Sequence, residues 1–541
     1  MARTFDSIVL GGNADALVAA LTLAQGGSRV LLLDEHAELG GTSREIELAP
    51  GFRAAPLAAD AGYISPEVAR LAGLSLAAQP ASDPAVISLA DGVPLTLHAS
   101  IPRTAEALAR FSESDAREWP RFAQRMHLLT RFLAALYAAP PPRIDAESLD
   151  EWLSLAGAGR RFRSLGTSGM VDLLRTLPMS VADLLDDAFE SERLKGTLAA
   201  LGVLDVCQGP LSGGTAFTFL HRHVGAEPGI FSERVRFAHG ASALIAALAK
   251  SAQARGVTIQ TGVPVQSLEI REGRVTGVTL ASGETIGSDR VISALNPSRS
   301  LLELVDPIYL PPEFIEAVRH IRFRGVTTKI LVALDALPAV PGTTQAPSGA
   351  VLIAPSIRHV ERAYDAAKYG RCSDDPVIEV RFPSVASPGN APEGRHVAVI
   401  HVQYTPWRLR EHEWPDVAEQ VADRALACVE REIPGFTSRI RHRLVLTPRE
   451  LELQFGLPEG AVSQGEMMLD QILFMRPVPG CARYATPIAG YFLCGPGTHP
   501  GPGITGLSGH LAARAALRAR PRGRAVQTVH PGLAERHRLL R

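Results

Sequence analysis

Two segments of this chain place glycines just before a predicted helix, an arrangement that can receive a phosphate or the polar edge of a ring. The first is Gly11-Gly12-Asn13-Ala14-Asp15-Ala16, which follows a short apolar strand and has the position of a G-x-G-x-x-G dinucleotide loop. Bare backbone lets a diphosphate approach, and free N–H groups at the helix start bind it. Asp34 follows 23 residues after Gly11, where a carboxylate accepts hydrogen bonds from ribose hydroxyls. The pattern predicts a nucleotide-binding site.

This loop departs from the ideal pattern at positions that matter for phosphate binding. Asn13 replaces the middle glycine and adds a side chain, although asparagine tolerates a left-handed backbone. We expect the Asp15 carboxylate, at the helix start, to compete with a phosphate for the same N–H groups. Ala16 is an accepted variant, since its position lets helix and strand pack closely. Gly40 and Gly41 form either a second turn near the diphosphate or an ordinary turn. The loop thus either binds a nucleotide or is cofactor-free.

The second glycine-rich segment is Gly495-Pro496-Gly497-Thr498-His499-Pro500-Gly501-Pro502-Gly503-Ile504-Thr505-Gly506, between a predicted strand and a helix. It contains a literal G-x-G-x-x-G match at Gly501, but no later strand ends in an acidic residue, so a second dinucleotide unit is rejected. The helix N-terminus can instead face the pyrimidine edge of a flavin, where negative charge develops on reduction. The alternative is a rigid loop without a ligand.

Other candidate residues have a structural interpretation beside the chemical one. His499 is the candidate catalytic residue, because it can hydrogen-bond a flavin or a substrate, but it can equally brace its loop. Lys329 lies in an apolar strand and either approaches a flavin or is a snorkelling or edge-strand lysine. His221 and His223 have no evident third ligand, so no metal site is predicted. The five scattered cysteines form neither a zinc site nor a redox pair.

The elements that must position these residues alternate between two kinds of pattern. A βαβ unit opens the chain, a helical region follows the first 103 residues, and α/β patterns return after residue 230. We predict an α/β fold: a Rossmann-like nucleotide-binding domain of discontinuous segments, a mixed-sheet substrate domain and a helical cap. The predicted segments are 1–103, 231–305 and 481–520 for the nucleotide domain, 104–230 for the cap, 306–480 for the mixed sheet and 521–541 for a basic tail.

Composition narrows the class of protein further. The 541 residues are 46% hydrophobic and carry 55 basic against 56 acidic side chains, which argues against nucleic-acid binding driven by bulk charge. No apolar run is long enough to span a membrane, and no secretion signal is evident. We expect a cytoplasmic protein. The arginine-rich tail is either solvated or in peripheral contact with an anionic membrane.

Motifs along nearly the whole chain resemble a known family. They are Pro50-Gly51-Phe52, Met179 to Leu184, Gly209-Pro210 with Gly214-Thr215-Ala216, Val291 to Ala294 with Pro297, Thr447-Pro448 with Glu450, Asp470-Gln471 with Arg476-Pro477, and Cys494 to Gly506. The chain is similar to FAD-dependent oxidoreductases of the phytoene dehydrogenase and amine oxidase superfamily. Within that superfamily it most resembles the branch of pyridine nucleotide-disulphide oxidoreductase domain-containing protein 2.

The resemblance implies FAD as the cofactor and assigns it to residues at both ends of the chain. The implied roles are Asp34 at the adenosine ribose, Gly11, Gly12 and Gly41 at the diphosphate, Val265 at the adenine through its backbone, and Gly495, Gly503 and Ile504 at the flavin. Asn13, Ala16 and Gly40 are further candidate cofactor-binding residues of the same loops. The implied activity is phytoene desaturase-like: dehydrogenation or isomerisation of C–C bonds in a hydrophobic substrate by hydride transfer to flavin. A non-catalytic scaffold with a degenerate loop is the alternative. A homodimer is a further expectation.

Overall fold

The computed structural model describes residues 4–57, 62–74, 84–142, 149–226, 240–343 and 347–519. In these ranges the strands, in chain order, are β1 (Ser7–Leu10), β2 (Val30–Leu33), β3 (Ile46–Ala49), β4 (Phe52–Ala54), β5 (Tyr63–Ile64), β6 (Val86–Ala90), β7 (Val93–Leu97), β8 (Thr258–Gln260), β9 (Val265–Arg271), β10 (Arg274–Leu280), β11 (Thr285–Gly287), β12 (Val291–Ser293), β13 (Thr327–Leu334), β14 (Ala350–Ile353), β15 (Val377–Arg381), β16 (His396–Gln403), β17 (Ile440–Leu446), β18 (Tyr491–Leu493) and β19 (Ile504–Thr505).

The α-helices in the same ranges are α1 (Ala14–Gln25), α2 (Pro66–Ala72), α3 (Ile101–Ala109), α4 (Glu113–Tyr137), α5 (Leu149–Arg163), α6 (Gly166–Thr176), α7 (Val181–Asp186), α8 (Glu192–Val203), α9 (Thr215–Arg222), α10 (Gly240–Ala254), α11 (Pro312–Arg319), α12 (Ile357–Lys368), α13 (Pro383–Ala386), α14 (Trp414–Glu432), α15 (Pro448–Phe455) and α16 (Leu507–Arg518). No helix in the described ranges is long and apolar enough to cross a membrane.

A parallel sheet brings distant parts of the chain together. Its described strands have the order β18-β12-β1-β2-β8, and every neighbouring pair is parallel. The central strand β1 is buried along its whole length, as expected for an apolar run covered on both faces. Helices α1 and α16 pack together beside the sheet, since a Cβ at Gly509 would lie 1.9 Å from the Asp15 carbonyl oxygen. This close approach places both glycine-rich segments at one edge of the sheet.

A second, mixed sheet forms the other half of the architecture. Its described strands have the order β17-β13-β16-β15-β14-β6-β7, with antiparallel pairs except between β14 and β6. The predicted nucleotide segment 1–103 is wrong at its end, because Val86–Leu97 supplies two strands of this mixed sheet. Sequence alone could not show the error, since an apolar hairpin fits either sheet equally well.

Helices α3 to α9 form a layer over the second sheet. Their shared core includes Trp119, Phe122 and Phe189, whose rings lie 4.9 to 6.3 Å apart. The predicted α/β class is confirmed: a parallel sheet built from separated segments, a mixed sheet and a helical cap. The remaining segment bounds stay predictions, and the basic tail 521–541 lies outside the described residues.

Candidate active site

A cavity of about 300 Å³ extends from the first glycine loop to the face of the mixed sheet. Several residues predicted from sequence line it: Gly11, Gly12, Asn13, Asp34, Gly40, Gly41, Gly503 and Ile504. Four others do not: Ala16, Val265, Gly495 and His499. The structure therefore brings together the two loops predicted from the sequence, but some of the predicted residues do not line the cavity.

The first loop packs against Asp34 so closely that only glycine fits. A Cβ at Gly12 would lie 1.9 Å from Asp34 Oδ2 and 2.6 Å from Leu39 Cδ2. Asp34 is 4% exposed, and its Oδ1 accepts a hydrogen bond from the His36 backbone N–H at 2.9 Å. Gly11 has a φ of 101°, a backbone conformation that favours glycine. The loop and the carboxylate form one preformed wall of the cavity.

Asn13 acts as the N-cap of α1. Its Oδ1 accepts from the Ala16 N–H at 3.0 Å, and its Nδ2 donates to the Ala294 carbonyl at 2.9 Å. These two bonds hold the amide at the start of α1 and join the loop to the end of β12. Both polar atoms of the side chain thus have partners within the protein. Ala16 itself is buried beneath the loop.

The position of Asp15 contradicts the expectation that its carboxylate competes with a phosphate. Its Oδ1 accepts from Ser508 Oγ at 2.9 Å and from the Gly509 N–H at 3.3 Å, so the carboxylate binds the start of α16. Burial raises the pKa of Asp15 to about 6, and the hydrogen bonds from Ser508 and Gly509 act in the opposite direction. The predicted competition with phosphate at the start of α1 is wrong, because the side chain points to a different helix.

The second glycine loop is held in place by the segment before α2. The Gly503 carbonyl accepts from the Tyr63 N–H at 2.8 Å, and β19 pairs with β5. A Cβ at Gly62 would lie 2.5 Å from Thr505 Oγ1. Gly503, Ile504 and Thr505 line the cavity. Since Asp15 already binds an N–H of α16, this part of the helix start is not free to face a ligand as predicted.

His499 lies outside the cavity. It is 1% exposed, its Nε2 donates to the Ala139 carbonyl at 3.2 Å, and its ring lies 5.7 Å from that of Tyr137. Burial lowers the pKa of His499 to about 3, so the imidazole is neutral. The geometry corrects the predicted catalytic role: the residue braces the loop, which was the alternative left open.

Val265 and Gly495 were predicted to bind the cofactor, and both contact other parts of the protein. Val265 begins β9 and pairs with Leu280, whereas the Val263 N–H donates to the Asp34 carbonyl at 2.8 Å. Gly495 has a φ of 94°, and its N–H donates to Ser508 Oγ at 2.7 Å. Neither Val265 nor Gly495 lines the cavity.

His221 lines the cavity and joins the cap to the second loop. Its Nε2 donates to the Pro502 carbonyl at 2.9 Å, and the Tyr137 hydroxyl lies 2.9 Å from its Nδ1. His223 faces elsewhere, with its Nδ1 near the Phe219 carbonyl. Within the described ranges, no three His, Cys, Asp or Glu side chains come together as metal ligands.

Sequence reasoning missed a polar cluster at the far end of the cavity. It consists of Asp205, Arg222, Lys329, Glu379, Arg381 and His401, all of which line the cavity. Lys329 is 8% exposed in β13, an interior strand of the mixed sheet, so its interpretation as an edge-strand lysine is wrong. A signal existed, because Lys329, Glu379 and His401 each place an ionisable side chain within a largely apolar strand.

Apolar side chains complete the walls between the loops and the polar cluster. They are Leu204, Val206, Leu244, Ile245 and Met467, each less than 9% exposed. The cavity is therefore lined by the glycine loops, by apolar side chains and by the polar cluster on the mixed sheet. The Gly12–Asp34 wall fits a dinucleotide, because a carboxylate stands beside bare backbone and the start of α1.

A dinucleotide end opposite a mixed-sheet substrate side defines a two-part flavoprotein architecture. Residues 17–435 match the family described as flavin containing amine oxidoreductase. The chain is 31% identical over 547 residues to pyridine nucleotide-disulfide oxidoreductase domain-containing protein 2 of Rattus norvegicus, covering 95% of this chain and 93% of the relative. It is 27% identical over 280 residues to a phytoene desaturase (neurosporene-forming) of Cereibacter sphaeroides, covering 51% and 52%.

Solved structures share the fold. A double mutant of putrescine oxidase superposes with a TM-score of 0.59 at 14% identity, covering 96% of this chain and 100% of that one. Cyclohexylamine oxidase from Brevibacterium oxydans gives 0.53 at 13% identity, covering 95% and 98%. The chain belongs to the flavin containing amine oxidoreductase family. It is an FAD-dependent oxidoreductase of the amine oxidase and desaturase type, as the sequence resemblance implied.

Proposed function

We propose that the chain dehydrogenates or isomerises carbon–carbon bonds in a substrate with a large apolar part. The observation that supports this proposal is that one cavity is lined both by the glycine loops and by apolar side chains. Bound FAD would supply the hydride acceptor. The protein then has to orient the substrate and exclude water, which the buried walls at Leu204, Leu244 and Ile245 favour.

The charges of the cavity argue against a simple amine as the substrate. A cationic amine is bound best by a carboxylate that has no other partner. Among the described residues, every carboxylate that lines the cavity already has one: Asp15 with Ser508, Asp34 with His36, Glu35 with Arg299, Asp205 with Thr327 and Glu379 with Arg381. The similarity to a phytoene desaturase supports the same choice.

Anaerobic reduction of the FAD-loaded protein tests this proposal. The panel is phytoene, oleate, putrescine and cyclohexylamine, and the readout is loss of the oxidised flavin absorbance. We expect phytoene or oleate to bleach the flavin or to isomerise without bleaching, as product analysis would show, and both amines to leave it oxidised. Bleaching by the amines alone, or no product from any member of the panel, would contradict the proposal.

A substitution at the surface and one in the cavity wall show whether the reaction depends on this cavity. Arg131→Gln changes an exposed arginine on α4 and should leave the reaction unchanged. Gly12→Ala should slow it by weakening FAD binding, because the new methyl group displaces Asp34. Reaction in both variants at the wild-type rate would place the chemistry outside this cavity.

A further inference from the structure

The polar cluster is built on one face of the mixed sheet. Lys329 of β13 and Glu379 of β15 both stand opposite His401 of β16, so the three residues form a row across neighbouring strands. Asp205 reaches this row from the segment after α8, and Arg222 from the last turn of α9. Ionisable groups seldom occupy interior strands without a task, since burying charge is costly.

Hydrogen bonds determine which member of the row carries the proton. Gln403 Nε2 donates to the carbonyls of Val203 and Val206, at 2.9 and 3.0 Å, so its Oε1 accepts from His401 Nε2 at 3.0 Å. His401 Nδ1 then accepts from Lys329 Nζ at 2.9 Å. Burial lowers the pKa of His401 to about 4, which agrees with a neutral ring. Lys329 is therefore the hydrogen-bond donor of this pair.

The cluster has more positive than negative charge. Among the described residues it contains the cations Arg222, Lys329 and Arg381 and the carboxylates Asp205 and Glu379. Burial raises the pKa of each carboxyl, but neighbouring basic side chains outweigh this and hold both at about 2. Burial also lowers the pKa of Lys329. One additional negative charge would balance the cluster.

Arg222 interacts electrostatically with Asp205 and Glu379, but within the described part of the cluster it has no hydrogen-bonded acceptor. Arg381 pairs with Glu379, and Asp205 accepts from Thr327 Oγ1 at 2.9 Å. The half-buried guanidinium of Arg222 makes no hydrogen bond and no ion pair within 4 Å to any described residue. Its donors match a carboxylate, which guanidinium binds with two parallel hydrogen bonds.

We infer that Arg222 binds the carboxylate of an amphipathic substrate acid, whose apolar part lies along Leu204, Val206, Leu244 and Ile245. This inference rests on the proposed function and narrows its substrate class. Arg222 is then a specificity-determining residue, and Lys329 contributes long-range positive charge. The neighbouring His221, which binds the Pro502 carbonyl, keeps the end of α9 beside the second glycine loop. The acid would thus extend from the polar cluster toward the second glycine loop.

Equilibrium dialysis of the FAD-loaded protein under anaerobic conditions tests the inference, with radiolabelled decanoate and 1-decanol as probes. We expect wild type to bind decanoate at least tenfold more tightly than decanol. Arg222→Gln should weaken decanoate binding at least tenfold and leave decanol binding unchanged. Arg222→Lys should bind decanoate with an affinity between those of wild type and Arg222→Gln. Arg131→Gln, at an exposed arginine of α4, should match wild type for both probes.

Equal binding of the two probes by wild type, or unchanged decanoate binding in Arg222→Gln, would overturn the inference. Flavin absorbance of each dialysed sample separates this failure from failure of the proposed function. A protein that holds FAD but does not distinguish decanoate from decanol contradicts only the inference that Arg222 binds a carboxylate. A protein that binds decanoate but never FAD contradicts the proposed function. Circular dichroism of each variant confirms that it is folded.

Discussion

Replacing Asp15 by asparagine removes a buried negative charge and keeps the shape of the side chain. Burial raises the pKa of Asp15 from its ordinary value of 3.8 to about 6. The folded chain therefore holds a proton that the unfolded chain loses between about pH 4 and pH 6, so stability falls as pH rises through this window. At about 1.4 kcal/mol per pKa unit, the charged form costs on the order of 3 kcal/mol at pH 7.

Hydrogen exchange of the α16 amides measures this cost locally, which suits a chain too large for a single two-state transition. In wild type, we expect the protection factors of α16 to fall between about pH 4 and pH 6 and to stay level above that window. Asp15→Asn should raise them at pH 7.5 by up to roughly a hundredfold, because the amide oxygen still accepts from Ser508 and Gly509. Asp183→Asn, an exposed acid in the first turn of α7, is the matched control and should change nothing.

The FAD affinity of the same variant decides between two roles for the carboxylate. Since Asp15 binds α16 and not the start of α1, the FAD dissociation constant should stay within about threefold of wild type. A tenfold or larger gain in FAD affinity, with unchanged exchange in α16, would refute our reasoning. It would show that the carboxylate competes with the diphosphate after all.

Three further predictions concern single residues. Gly12→Ala should weaken FAD binding by roughly 10- to 150-fold in a fluorescence titration, because a Cβ would lie 1.9 Å from Asp34 Oδ2. The control Gly157→Ala, with open space around its Cβ, should leave FAD affinity unchanged. Equal FAD affinities of the two variants would contradict a wall formed by Gly12 and Asp34. His499→Gln should keep substrate-dependent flavin reduction within about threefold while lowering the melting temperature, and a loss of reduction without loss of stability would restore a catalytic role. Nitrogen-15 NMR spectra of labelled histidine should show a neutral His401 ring, protonated at Nε2, from pH 8 to pH 5, because burial lowers its pKa to about 4. A cationic His401 ring at pH 6 would contradict the assigned hydrogen bonds.

Local sequence patterns were sufficient to predict the parallel sheet and the position of the first loop. The strand before Gly11, the helix after it and Asp34 at the next strand end follow one another within a short stretch. The direction of a side chain at the helix start does not follow from such a pattern. Asp15 binds Ser508, which lies 493 residues away in sequence, and no local rule distinguishes this partner from a phosphate.

The polar cluster shows the same limit. Lys329, Glu379 and His401 come together only because the register of three strands, separated by long connections, places them in one row. Each strand shows its ionisable residue in an apolar run, but the pairing of the strands decides whether these residues meet. His499 illustrates the opposite case, since a histidine within a distinctive loop proves to face the cap rather than the cavity.

Uptake of FAD by the unmodified chain shows whether the first glycine loop binds the cofactor. We expect the loop with Asn13 and Asp15 to bind a dinucleotide as it stands, because both side chains are held by other partners. We predict that the purified protein is yellow, or that a colourless preparation takes up stoichiometric FAD in a visible-light titration. A colourless protein that binds FAD only after Asn13→Gly and Asp15→Asn would contradict the account.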